Sequence, residues 1–332
     1  MKAFIVERYR KDGLRAAELP EPQLGTHDVL VSVRAAGVNP LDAKIRDGDF
    51  KLILRYRPPF VLGHDVAGVV TRVGSAVRKF KAGDEVYARP RDHRIGTFAE
   101  LIAIHQDDVA LKPASLSMVE AAAVPLAGLT AWQALVERAN VTAGQKVLIH
   151  AGSGGVGTIA IQLAKHLGAT VATTTSTSNV EWVKALGTDL VIDYKHEDFA
   201  EVLSGYDVVL DPLGGTNLAK SLTVLKPGGL AIGIAGPPDP AFAQQIGAPA
   251  FLRVAMTLLS RRTRRQAKRL GVQYSFLFMR AGGSQLQELA TLIDAGHLRP
   301  IIDRVFPFDA TLDAVAYVDQ GRAKGKVVVT LE

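Results

Sequence analysis

KVLIHAGSGGVGTIAIQLAKHLG, residues 146–168, decides the fold. It opens on KVLIHA (146–151), an apolar run of the kind buried on both faces of a parallel sheet. Gly152, Gly154 and Gly157 follow at the G-x-G-x-x-G spacing. Val156, Ala160, Leu163, Ala164 and Leu167 then recur at helical spacing, and Gly168 marks the helix end. A glycine triplet alone is weak evidence. Between a strand and a helix it has a mechanism: the glycines allow a tight turn and close backbone approach to a pyrophosphate, and the helix N-terminus supplies free N–H groups.

The pattern continues downstream. TVATTT (170–175), DLVID (189–193), YDVVLD (206–211) and GLAIGIAG (229–236) read as strands, and NVEWVKALG (179–187) reads as helical. YSFLFM (274–279) is a sixth strand candidate. This alternation predicts an α/β architecture with a doubly wound parallel sheet. Residues 1–120 differ. Short apolar runs such as Val29–Val33, Val66–Val73 and Leu101–Ile104 are broken by Gly and Pro, so this part is predicted to be mostly β. A helix-like SQLQELATLIDAG (284–296) and a last strand, KVVVTL (326–331), close the chain.

With 332 residues, 48% of them apolar, the chain suits two domains with large cores. It has no cysteine, which excludes disulfides, thiolate zinc sites and cysteine nucleophiles. No apolar leader follows Met1 and no apolar run reaches membrane length, so a cytoplasmic location is expected. The net charge of +6 has one source. SRRTRRQAKR (260–269) holds six cations and no acid; without them 33 basic residues face 33 acidic ones. A general nucleic-acid binder is therefore not expected.

The strand after the glycine loop discriminates between cofactors. NAD-selective sites place Asp or Glu at its end, on the ribose hydroxyls. Here the chain offers Thr174, Thr175, Ser176, Thr177, Ser178 and Asn179, and the first acid, Glu181, lies within the next helix. Hydroxyls can donate to a 2′-phosphate that an acid would repel, so NADPH is expected over NADH.

GQKVLIHAGSGGVGTIAIQLAK (144–165) resembles the signature of the quinone oxidoreductase/zeta-crystallin branch of the medium-chain dehydrogenase/reductase superfamily. AAGVNPLDAKIRDG (35–48), PLAGLTAWQAL (125–135), VIDY (191–194) and GKVVV (325–329) resemble that branch too. The segment 274–308 is most similar to the reticulon-4-interacting oxidoreductases. The resemblance implies a GroES-like catalytic domain, residues 1–124 and 280–332, split around a Rossmann NADP(H)-binding domain, residues 125–279, with the nicotinamide in a cleft between them. It implies Ser153, Gly155 and Val156 on the pyrophosphate, and Ser176 and Tyr194 at the 2′-phosphate. Many relatives carry Lys or Arg where this chain has Ser178, which leaves that charge to another residue such as Lys184. Asn39 and Thr130 resemble the family's nicotinamide-end positions. Leu213, Ala235, Phe276 and Phe278 resemble cofactor walls, and Lys326 a contact from the last strand. Core or subunit-interface packing is the other reading of Phe276 and Phe278, and the family implies a homodimer through the sixth strand.

LGHDVAGVV (62–70) raises the question of zinc. By resemblance, the ligand positions of zinc-using relatives fall on Asn39, His64 and Leu126. Only His64 can bind zinc, and a catalytic site needs three protein ligands. No metal is expected, and His64 is read as a satisfied histidine at the domain interface. Without a Lewis acid, reduction of an already polarised acceptor fits better than alcohol oxidation. The expected activity is NADPH-dependent hydride transfer to a quinone or α,β-unsaturated carbonyl. The alternatives are a 2-enoyl thioester reductase and a non-catalytic NADPH-binding structural or regulatory protein. Asn39 is read as a donor to the acceptor oxygen or a holder of the nicotinamide ribose. Asp42 is read as a second catalytic candidate or a helix cap, and Tyr56 as part of the cleft mouth. The segment 251–271, apolar first and cationic later, leaves three readings: a weak membrane-surface contact through 261–269, a contact with coenzyme A phosphates, or a solvated helix.

Overall fold

The computed structural model describes residues 1–331. They form two compact units, residues 1–129 with those from 280 onward, and Thr130–Met279. The first division falls inside the helix Pro125–Trp132, where the sequence placed it before Pro125.

In the first unit, strands β1 (Lys2–Val6), β2 (Leu14–Glu18), β3 (Asp28–Val38), β4 (Phe60–Val61), β5 (Val66–Val73), β6 (Glu85–Ala88), β7 (Leu101–His105) and β8 (Val109–Leu111) precede the insertion. The second unit contributes β9 (Lys146–Ile149), β10 (Thr170–Thr175), β11 (Leu190–Asp193), β12 (Tyr206–Asp211), β13 (Leu225–Gly233) and β14 (Gln273–Phe276). The chain then returns to the first unit with β15 (Ile302–Pro307) and β16 (Lys326–Thr330).

The first unit is built on a seven-stranded sheet of order β15-β16-β3-β5-β6-β8, with β7 also on β3, and a small sheet β2-β1-β4. Two registers in the large sheet bring distant polar residues together. Val327 lies opposite Val38, so Lys326 comes beside Asn39. Ala35 lies opposite Ala67, which brings Gly37 beside Asp65. A side chain on Gly37 would meet the Ala122 carbonyl at 2.4 Å and an Asp65 carboxylate oxygen at 2.8 Å, so glycine is required for that approach.

The second unit is a six-stranded sheet of order β11-β10-β9-β12-β13-β14, parallel throughout. Strand order reverses between β9 and β12, the switch point at which such sheets bind ligands beyond their carboxyl ends. On one side of the sheet Leu148, Ala172, Val209 and Ala231 pack against Leu218, Leu222 and Ala267. The α/β class with a doubly wound parallel sheet and a β-rich second unit agrees with the sequence.

Two local expectations are corrected. The strand expected over 274–279 stops at Phe276. The last ladder bond runs from the Leu277 N–H to the carbonyl of Gly233, where the partner strand β13 ends, at 2.9 Å, and the Phe276 N–H goes to the Asp239 carboxylate at 3.0 Å. The segment 251–271 is two helices, Ala250–Leu259 and Arg261–Leu270, with Ser260 between them. The Ser260 hydroxyl donates to the Met256 carbonyl at 2.8 Å, a local bond that competes with regular helix geometry.

Candidate functional site

The glycine loop of the second unit follows β9 and opens the helix Gly155–His166. Two glycines are there for packing. A Cβ on Gly152 would lie 2.2 Å from the Thr173 hydroxyl, and one on Gly157 2.2 Å from the Ala151 carbonyl. Gly154 has another reason. Its added Cβ would meet only the Ala151 carbonyl, at 3.3 Å, so its open side is free for a close visitor. Ser153, Gly155 and Val156 are partly exposed, and the first amides of a helix have no partner within it. Ala151 sits at φ 53°, a backbone state that costs a non-glycine residue energy and recurs at ligand sites. A cradle with free N–H groups at a helix start fits a dinucleotide pyrophosphate.

At the end of β10, Thr174 and Thr175 are buried, Ser176 is partly exposed, and Thr177 and Ser178 are exposed. The Ser176 hydroxyl accepts from the Asn179 amide at 3.0 Å. Tyr194 is held by its N–H to the Thr175 carbonyl at 3.1 Å, which leaves its ring 60% exposed beside that strand end. Lys184, named as an alternative cation, is exposed on the helix Val180–Lys184. A cavity of about 400 Å³ opens next to Tyr194, lined also by Lys195, His196, Thr216, Asn217 and Lys220. Lys220 is ion-paired with Asp198. Asp193, opposite Thr175 in the ladder, is an acid that the sequence reading passed over. The Thr177 hydroxyl beside it holds its carboxyl below the usual range, and the Lys195 N–H donates to it at 3.1 Å.

A buried polar chain joins the ends of three strands. His150 is fully buried; Nδ1 lies 3.0 Å from the Thr174 hydroxyl and Nε2 3.0 Å from the Ser221 hydroxyl. Ser221 reaches Asp211 at 3.1 Å. Asp211 also accepts from the N–H groups of Leu213 (2.7 Å) and Gly214 (2.8 Å) and from Asn217 (3.1 Å). Burial pushes the His150 pKa down to about 4, so the ring is neutral at pH 7. Donation by Ser221 to Asp211 requires Nε2–H to donate to Ser221 and the Thr174 hydroxyl to donate to Nδ1. This network was missed. Its one sequence signal is a histidine in an otherwise apolar strand run.

Of the other expected contacts of this unit, Leu213, Ala235 and Phe276 lie at or just beyond the carboxyl ends of the neighbouring strands β12, β13 and β14. Thr130 is buried, Leu213 is 54% exposed and Ala235 is exposed. Phe276 packs edge-on to Phe242 at 4.9 Å, and Phe278 is tilted against the same ring at 5.9 Å. Phe276 is buried by this packing, at the end of β14, where the core and cofactor-wall readings can both hold.

The first unit brings Asn39, His64 and Leu126 to one place, around two buried carboxylates. Asp65 accepts from the Leu126 N–H at 2.7 Å, the Asn39 amide at 2.9 Å and the Lys326 ammonium at 3.0 Å. Lys326 also donates to the Asn39 side-chain carbonyl. Asp65 lies at the start of the helix Pro125–Trp132, where a negative charge is favoured. Asp42 accepts from the Asn39 N–H at 2.8 Å and from His64 Nδ1 at 2.6 Å, so it caps the helix Pro40–Asp47 and orients the ring. Asn39, Asp42, His64, Asp65 and Lys326 are all buried. Asn39 therefore has its side-chain carbonyl committed to Lys326 and one amide hydrogen to Asp65.

His64 is not fully satisfied, contrary to expectation: Nε2 has no partner. Arg89 Nε and Nη1 and the Thr97 hydroxyl are likewise buried without partners. The pairing of Val66 with Ala88, and of Thr97 N–H with the Gly63 carbonyl, gathers these residues at one crossing of the sheet. Tyr56 stacks on Phe60 at 5.0 Å, and its hydroxyl accepts from the His93 N–H at 3.2 Å. Burial, with Asp92 nearby, pushes its phenol pKa up, so it stays protonated.

The residues do not fit zinc. Leu126 has no donor side chain and the Asn39 amide is occupied, which leaves His64 Nε2 alone. Among the described residues no group of three His, Cys, Asp or Glu side chains could hold a metal ion. The cation at this place is the Lys326 ammonium.

Fold and site together define a dinucleotide-binding oxidoreductase with a GroES-like partner unit. Residues 25–114 match the family model described as alcohol dehydrogenase GroES-like domain, and residues 186–329 the one described as zinc-binding dehydrogenase. The chain is 39% identical over 318 residues to a 2-methylene-furan-3-one reductase of Solanum lycopersicum, covering 93% of this chain and 73% of that protein. It is 37% identical to a chloroplastic NADPH-dependent alkenal/one oxidoreductase of Arabidopsis thaliana, covering 99% of this chain and 79% of that protein. The solved structure of the quinone oxidoreductase from Coxiella burnetii superposes with a TM-score of 0.87 at 32% identity, covering 100% of this chain and 99% of that one. The chain belongs to the quinone oxidoreductase branch of the medium-chain dehydrogenase/reductase superfamily.

Proposed function

We propose that this chain is a zinc-independent, NADPH-dependent oxidoreductase that reduces a quinone or an α,β-unsaturated carbonyl. The observation that carries this reading is the Lys326–Asp65–Asn39 network standing where zinc-using relatives gather their ligands. Such a site offers no ligand set for the metal that would stabilise the alkoxide of a simple alcohol. An enone, enal or quinone already has a carbon that accepts hydride, and its oxygen then needs only hydrogen bonds and a proton. NADPH, when bound, supplies the hydride. The free amides at the start of the helix Gly155–His166 would bind its pyrophosphate. Ser176 and Tyr194 would meet the 2′-phosphate, and Lys195 beside Tyr194 would supply the cation that Ser178 lacks. The names of the two plant relatives support the acceptor class. Homodimerisation along the free edge of β14 belongs to the same reading.

The test is a titration with NADPH and NADH, followed by NADPH consumption over quinones, enals, enones and enoyl thioesters. Tighter NADPH binding and turnover of quinones or enones are expected. Tighter NADH binding refutes the phosphate assignment. Turnover confined to enoyl thioesters, or binding without turnover of any acceptor, replaces the proposed activity. One equivalent of tightly bound zinc in the purified protein refutes metal independence.

A further inference from the structure

The helices Ala250–Leu259 and Arg261–Leu270 play no part in the site described above. The first turns an apolar face outward. Phe251, Val254, Leu258 and Leu259, at helical spacing i, i+3, i+7 and i+8, are 64%, 59%, 59% and 65% exposed. Leu252 and Met256, four residues apart on one stripe, are buried and anchor the helix. The second helix begins where that face ends. Arg261, Arg262, Arg265, Lys268 and Arg269 are exposed, and no ion pair among the described residues involves any of them. Ala267 is buried and Gln266 donates to the Ala219 carbonyl at 2.8 Å, which fixes the cationic side outward.

We propose that these two helices form a docking surface for an anionic phospholipid membrane. Two independent features meet there. Clustered large apolar side chains on a helix face call for a nonpolar medium, and an unpaired cluster of cations calls for a negatively charged one. The boundary of an anionic bilayer supplies both at once. A nucleic acid would meet the cations and leave the aliphatic face in water. A second copy would cover the apolar face but leave the cations of both helices without an anionic partner. The helices are too short to span a bilayer, and no helix of the described chain is long and apolar enough to do so; the contact is at the surface. The surface is independent of the reductase reading.

The full chain is tested by co-sedimentation with phosphatidylcholine vesicles and with vesicles containing roughly one-third phosphatidylserine, at about 0.05 M and about 0.5 M salt. Binding to the anionic vesicles at low salt, weakened at high salt, is expected. Each cation near such a surface is worth roughly fivefold in partitioning, so Arg261→Gln/Arg262→Gln/Arg265→Gln together should weaken it about 100-fold. Phe251→Ser/Leu258→Ser/Leu259→Ser should weaken it at least about tenfold, since charge alone does not seat the helix. Cofactor binding by both triple variants should match the parent, which shows that they fold. No binding to anionic vesicles at low salt overturns the proposal. Equal binding by the parent and either variant does so too. Failure to bind vesicles alongside binding of duplex DNA, or alongside dimerisation lost in the serine variant, also overturns it and identifies the other occupant.

Discussion

Removing the Lys326 side chain should expose how tightly the first unit's site is coupled. Lys326 and Asp65 are 5% and 0% exposed and 3.0 Å apart. In Lys326→Met the Asp65 charge stays buried with two donors, the Leu126 N–H and the Asn39 amide, and Asn39 loses the partner of its carbonyl. Breaking one side of a buried pair costs about 3–5 kcal/mol, and the donors that remain place this case near about 3 kcal/mol. Asp65→Asn strands the ammonium instead and should cost a similar amount, about 3 kcal/mol. The double variant leaves no unpaired charge and should cost well under the sum of the singles, with a coupling energy of at least about 2 kcal/mol. Denaturant unfolding of the four proteins, followed by circular dichroism at equal slopes, measures this. Because the pair is shielded from solvent, about 0.5 M salt should leave the coupling unchanged. Single-variant losses that add to within about 0.5 kcal/mol of the double refute the claim that the two charges act as one unit.

Two other outcomes concern the second unit. Gly157→Ala sets a methyl 2.2 Å from the Ala151 carbonyl and 2.9 Å from Gly152 Cα, so the loop must move. NADPH affinity by fluorescence titration should fall at least about tenfold, at a stability cost of about 1–3 kcal/mol, and parental affinity would contradict the cradle assignment. His150 is neutral in the fold, with a pKa pushed down to about 4 by burial. The unfolded chain therefore binds its proton first, at about pH 6.5. Stability should fall as the pH drops from there towards about 4, at up to about 1.4 kcal/mol per unit, and this contribution should level off below that. His150→Gln should flatten that slope, and an unchanged slope would place the proton elsewhere.

Much of the second unit was legible in its residues. KVLIHA, the glycine spacing and the helical repeat after it are local patterns, and each element they predict is present. Position 126 was legible too, since a leucine can ligate no metal. The end of β14 was not, because it is set by where its partner strand β13 ends, at Gly233. Asp193 was missed for a related reason: it reaches the TTTSTS loop by lying opposite Thr175 in a neighbouring strand.

The sequence by itself determined the alternating α/β order and the glycine loop set between a strand and a helix. These depend on residue type and short spacing. Only the tertiary structure decided which groups gather around the buried Asp65. Lys326 and Asn39 are 287 residues apart and meet because β16 pairs with β3 in one register. It also decided that His150 holds three strand ends together and that the apolar face of Ala250–Leu259 points outward. Burial and long-range pairing are properties of the packed chain, and no local pattern carries them.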